Sequence, residues 1–178
     1  YMVIINLMQI TEQNEKNIIE ASRKINQAKP DVLYFADSLG AMNTEDVFKY
    51  VNLLRSNWKG ELGIHTHNNL GKAVSNTLSA VENGVTWIDS TVTGMGRGPG
   101  NSETEYVLIE MSKLSSTRYN LLPITKIIKK YFEPLKEKYK WGPNSFYYLA
   151  GKYGIHPTYI QEMLNIKMDD VEILEAIK

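Results

Sequence analysis

The sequence predicts an α/β fold in which a parallel sheet is covered by helices. Short apolar runs alternate with longer amphipathic stretches. Four of these runs recur at about thirty-residue intervals, the length of one βα unit. Strand and helix repeating at that period set parallel strands side by side with helices packed outside. Beyond Asn101 the repeat stops and the pattern is helical to the end. An open doubly wound sheet and a closed barrel both satisfy this arrangement.

The opening run, Val3 to Met8, reads as a buried strand, and a chain that opens inside a strand is expected to have further residues upstream. Glu12 to Ala28 is predicted helical, with Ile18, Ile19, Ala21 and Ile25 at core-facing spacing. Asp31 to Ala36 is the second strand, bounded by Lys29-Pro30 and Gly40. Asn43 then caps a helix running to about Ser56, with Asp46 as its capping-box partner. Glu61 to His67 is the third strand, and a helix from about Leu70 to Asn83 stops at Gly84. Thr86 to Thr93 is the fourth strand. Ser102 with Glu105 forms a second predicted capping box, and Pro123 to Lys138 a basic amphipathic helix. Trp141-Gly142-Pro143 turns the chain into short helices ending near Lys178.

Composition narrows the chemistry. The 178 residues carry 20 basic and 20 acidic side chains, so no net field exists to hold nucleic acid or an anionic membrane. No apolar run reaches membrane-spanning length. With no cysteine, thiolate metal sites are excluded, and any metal must rest on histidine, carboxylate or amide. This usage fits a reducing cytoplasm.

His65 and His67 are two of only three histidines and flank a single threonine. Residues two apart on a strand share a face, so both imidazoles project together, with Ile64 and Thr66 turned to the helices. They stand at the strand's C-terminal end, where parallel α/β folds bind ligands. Two neutral imidazoles there are a half-site for a divalent metal; ordinary hydrogen-bonding histidines are the alternative. Asp37 closes the second strand next to Ser38, and Asp89 lies in the fourth. Each is read as a contact of the active-site polar network or as an acceptor for backbone N–H groups. Gly94 to Asn101 holds four glycines and Arg97, a loop that lets backbone approach a ligand and adds a charge for a carboxylate or phosphate. Its spacing is neither a Walker loop nor a dinucleotide fingerprint. His156, before Pro157, reads as a helix-boundary residue, and Phe146, Tyr147, Tyr148 and Tyr153 mostly as core.

Three segments together resemble the metal-dependent pyruvate aldolases, typified by 4-hydroxy-2-oxovalerate aldolase, within the group that includes HMG-CoA lyase and isopropylmalate synthase. They are Tyr34-Phe35-Ala36-Asp37-Ser38-Leu39-Gly40-Ala41-Met42, Gly63-Ile64-His65-Thr66-His67-Asn68-Asn69-Leu70-Gly71, and Asp89 through Asn101, in the family's order. The resemblance implies a TIM (β/α)8 barrel, of which residues 1–113 hold the last four βα units, followed by a helical extension over residues 114–178. It implies His65 and His67 as metal ligands with Asn101 joining them, substrate contacts from Asp37, Ser38 and Arg97, and a pocket-lining role for Tyr147. The implied metal is Mn²⁺, with Mg²⁺, Co²⁺ or Zn²⁺ as alternatives. The implied reaction cleaves a 4-hydroxy-2-oxo acid to pyruvate and an aldehyde. The alternatives are an acyl-CoA condensing synthase and a non-catalytic barrel relative. The family's first strand, with its aspartate ligand, arginine and histidine base, has no counterpart here. The chain alone is therefore expected to be catalytically incomplete and to pair with the missing N-terminal half-barrel or a second copy.

Overall fold

The computed structural model describes residues 1–114 and 116–178. Four parallel strands, β1 (Ile4–Leu7), β2 (Val32–Asp37), β3 (Glu61–Thr66) and β4 (Trp87–Ile88), lie in one sheet in sequence order. The helices α1 (Glu15–Ala28), α2 (Thr44–Arg55) and α3 (Ala73–Glu82) form the crossovers, and α4 (Thr104–Leu114) follows β4. Asn43 closes the predicted capping box on α2: its side chain accepts from Asp46 N while Asp46 accepts from Asn43 N, each at 3.0 Å.

The pleat sends alternate residues to opposite sides. Leu33, Phe35, Leu62 and Ile64 join Ile18 and Ile25 of α1, Val47, Val51 and Leu54 of α2, and Ala80 of α3 in one buried core, with Ile5, Leu7 and Ile88 packed against it. Truncating Phe35 or Ile64 to alanine would cost about 3–5 kcal/mol. Asn6, Tyr34 and Gly63 are paired across the sheet, as are Ala36 and His65, and these positions face the other side. Phe35 therefore packs under the helices. Ile19 is exposed, and Ser22 is buried in its place with Oγ donating to Ile19 O at 2.8 Å.

The fourth strand is two residues long: Asp89 N still donates to Ile64 O at 3.2 Å, and from Thr91 the chain pairs with a loop instead of the sheet. Thr91 N donates to Ser102 O, and Thr104 N donates to Thr91 O. That arrangement also undoes the predicted Ser102–Glu105 box. Ser102 Oγ is buried without a partner, and Glu105 accepts from Thr93 N at 3.0 Å. The expected Pro123–Lys138 helix runs as α5 (Leu122–Ile127), a π turn at Ile128–Phe132, and α6 (Glu133–Tyr139). The π turn lies just ahead of Pro134, whose ring clashes with the carbonyl four residues back in a regular helix and whose nitrogen lacks a proton.

The last three helices, α7 (Ser145–Tyr153), α8 (Pro157–Asn165) and α9 (Asp170–Ile177), build a second core from Tyr147, Ala150, Ile160, Ile173 and Ile177. Tyr148 and Tyr153, expected in a core, are exposed. This tail is tied to the loop after β4: Trp141 Nε1 donates to Thr93 O at 3.0 Å and Gly142 N to Gly98 O at 2.9 Å. No described helix is long and apolar enough to cross a membrane.

Candidate metal centre

His65 and His67 project from the end of β3 on the same side, their ring centroids 4.9 Å apart and their planes at 80°. Between them, Thr66 turns the other way, its hydroxyl 3.2 Å from Ala73 O and 3.0 Å from Thr77 Oγ1 on α3. Alternation on one strand thus assembles the pair without help from any loop.

Both rings are held by the same nitrogen. His67 Nδ1 lies 2.9 Å from Asp37 O, and His65 Nδ1 lies 3.0 Å from Asp89 Oδ2. A carbonyl and a carboxylate accept, so each Nδ1 is the donor and each Nε2 is the ring nitrogen left to face a ligand. Burial pushes His67 down to about 4, only partly opposed by the Asp37 carbonyl, and the nearby His65, Arg97 and His156 lower it further. His67 is therefore a neutral donor at neutral pH.

Asn101 is drawn beside His67 by an antiparallel bridge, with Asn68 N donating to Gly100 O at 3.0 Å. Its Nδ2 donates to Met95 O at 3.1 Å, so the amide oxygen is the atom left for a ligand. The glycines of this loop permit the fold-back: at Gly100, φ +78°, a side chain would run into Gly94 O.

The other predicted site residues stand as follows. Asp37 is fully buried and its two oxygens accept from Ala41 N and Met42 N, each at 3.0 Å. Burial pushes its carboxyl up to about 6 against the pull of those N–H groups. What it offers the histidine pair is its backbone carbonyl. Ser38 Oγ accepts from Gln9 N at 2.8 Å, joining the loops after β1 and β2. Arg97 is exposed, and its Nη1 donates to Thr158 Oγ1 at 2.7 Å. Tyr147 is buried in the second core with its ring against Gly98. Among the described residues no three His, Asp or Glu side chains cluster as a complete metal site.

Two residues beside the pair were not placed at the site by sequence, which read His156 as a helix boundary. Tyr34 on β2 lies over Gly63, where any Cβ would fall inside its ring. Burial first, and then the neighbouring Asp89 carboxylate, push its phenol up to about 12. A glycine two residues before His65 was the available signal. His156 caps α8, its Nδ1 accepting from Thr158 N at 3.4 Å, and it lies near enough to His67 that a positive charge on it would lower the His67 pKa. Nothing in the sequence announces that approach, since docking of the tail creates it.

The chain is 30% identical over 164 residues to 4-hydroxy-2-oxovalerate aldolase of Carboxydothermus hydrogenoformans, covering 89% of this chain and 49% of that protein. It is 31% identical to 4-hydroxy-2-oxovalerate aldolase 2 of Rhodococcus jostii, covering 85% and 46%. The chain thus spans about half the length of the curated relatives it matches. Among solved structures, the N-terminal domain of a candidate aldolase from Bacteroides vulgatus superposes with a TM-score of 0.86 at 28% identity, covering 99% of this chain and 58% of that one. HMG-CoA lyase of Bacillus subtilis superposes at 0.65 with 20% identity, covering 85% and 54%, and shares the fold. The four parallel βα units are accordingly part of a TIM-type barrel. The HMGL-like family model matches residues 3–129, and the chain belongs to that family.

Proposed function

We infer that this chain supplies one side of the active site of a divalent-metal-dependent aldolase, which cleaves a 4-hydroxy-2-oxo acid to pyruvate and an aldehyde. The observation that carries the reading is the pair of imidazoles at one strand end, each held by an acceptor at Nδ1, which leaves Nε2 for a ligand. With the amide oxygen of Asn101 they make a neutral nitrogen and oxygen donor set, which fits a divalent cation of the Mn²⁺, Mg²⁺, Co²⁺ or Zn²⁺ type, Mn²⁺ first. A cation bound there supplies Lewis-acid polarisation of the ketone of a 2-oxo acid.

The chain's own residues do the rest on this side. Asp89 and the Asp37 carbonyl hold the two rings through Nδ1, with Nε2 turned to the site. Arg97 places a positive charge at the mouth for the substrate carboxylate. The anionic ligand and the base belong to the complementary half of the barrel, contributed by the longer protein and seated along the open edges of β1 and β4.

Pyruvate release from 4-hydroxy-2-oxopentanoate by the full-length protein tests the reading. Activity should disappear with chelator, return with Mn²⁺, and fall at least about 100-fold in His65→Ala and His67→Ala. Turnover indifferent to chelator and to both substitutions would overturn it. Calorimetry of the isolated chain should show weak Mn²⁺ binding, because the donor set lacks a carboxylate.

A further inference from the structure

The loop that carries Asn101 is closed on itself. Asn101 N donates to Gly94 O and its Nδ2 donates to Met95 O, each at 3.1 Å, so the loop holds together and has to be joined to β3 from outside. Asn68, the residue after His67, makes that join on both sides of Asn101. Its backbone N donates to Gly100 O at 3.0 Å, and its side-chain Nδ2 donates to Glu103 Oε1 at 3.1 Å. A third contact fixes the amide's orientation. Ala73 N, at the start of α3, can only donate, and it donates to Asn68 Oδ1 at 3.1 Å, which turns Nδ2 to the carboxylate. The backbone of Ser102 and Thr104 is bonded to Thr91, so Glu103 is itself held from the β4 side. Asn68 is buried and Glu103 half-buried, so water does not readily take over the bond between them.

The two imidazoles do not depend on this latch, since Asp37 O and Asp89 hold their rings. Asn101 does depend on it. Its loop meets the end of β3 through the bridge to His67 and the two bonds from Asn68. We propose that Glu103 is a positioning residue: by accepting from Asn68 it sets where the Asn101 amide oxygen stands relative to the imidazoles, and so the affinity of the site for a divalent cation. Glu103 acts through Asn68 and the loop, not by contact with the cation. Packing at Gly94 marks the same closure, because a Cβ there would stand 2.9 Å from Asn101 O and 3.3 Å from Glu103 Cγ. The inference rests on the metal-site reading for the affinity it predicts, but the latch can be measured with no metal present.

The affinity arm titrates the full-length protein with Mn²⁺ by calorimetry. Glu103→Leu removes the acceptor and should weaken binding about 10-fold. Glu103→Gln keeps an amide oxygen for Asn68 and should stay within about 3-fold of wild type. In an Asn101→Ala background the loop brings no ligand, so Glu103→Leu should then change the affinity by less than about 2-fold. Equal losses from Glu103→Leu with and without Asn101, or equal losses in the Leu and Gln variants, would overturn the proposal. If the protein binds no Mn²⁺, the metal-site reading fails and the latch is judged by amide hydrogen exchange. Glu103→Leu should speed exchange at Asn68 N–H about 10-fold or more while Val51 in α2 is unchanged, and Glu103→Gln should restore the protection. Unchanged exchange at Asn68, or a matching rise at Val51, overturns it.

Discussion

The His65 ring is held by Asp89, its Nδ1 3.0 Å from Oδ2, across the gap between β3 and the segment that follows β4. The carboxylate is about half exposed, at 48%, so the contact adds little to folding and acts instead on ring orientation. Asp89→Ala should weaken Mn²⁺ binding about 10–100-fold. It should cost less than about 1 kcal/mol of stability. Titration calorimetry beside a urea melt separates the two effects. Unchanged affinity would show that His65 is oriented without Asp89.

His67 makes stability depend on pH in a definite direction. Its folded pKa of about 4 lies below the ordinary 6.5, so the unfolded chain takes up a proton first as pH falls. The contribution is complete above pH 6.5 and is lost as pH falls through about 4, a change of about 3 kcal/mol. Asp37, raised to about 6, works in the opposite sense: its term is full below 3.8 and lost as pH rises through 6. Asp37 is common to wild type and His67→Gln, so the difference between their urea stabilities isolates His67. That difference should shrink as pH is lowered from 7 to 4. A constant difference would contradict the shifted imidazole.

Gly63 and Tyr34 form a size-matched pair on the inner side of the sheet. Gly63→Ala should destabilise the chain by about 1–3 kcal/mol, because the added methyl enters the Tyr34 ring. In a Tyr34→Ala background the same change should cost far less, giving a coupling energy above about 1 kcal/mol in a double-mutant cycle. Additive losses would mean that the backbone, not the ring, sets the preference for glycine.

The outer strands β1 and β4 carry unpaired edges, and Met2, Val3 and Ile4 at the first edge are exposed at 60%, 54% and 47%. An apolar open edge recruits a partner strand. The isolated chain should therefore associate in light scattering, and co-expression with the complementary half-barrel should suppress the association. A monodisperse monomer would contradict this.

Sequence by itself determined the local features: the βα period, the Asn43 cap, and the projection of His65 and His67 from one side of β3. Each depends on strand pleat, helix spacing or a hydrogen bond within three residues, so neighbouring residues suffice to specify it. Tertiary structure decided what lies between distant segments. Sequence could not show that Asp37 spends its carboxylate on its own loop and lends its carbonyl to His67, a partner 30 residues away. It could not show that the chain from Thr91 pairs with the loop at Ser102 instead of the sheet, or that α8 brings His156 to the face of the metal pair. In each case two segments compete for the same hydrogen-bonding groups, and only the packed chain settles which partner each group takes.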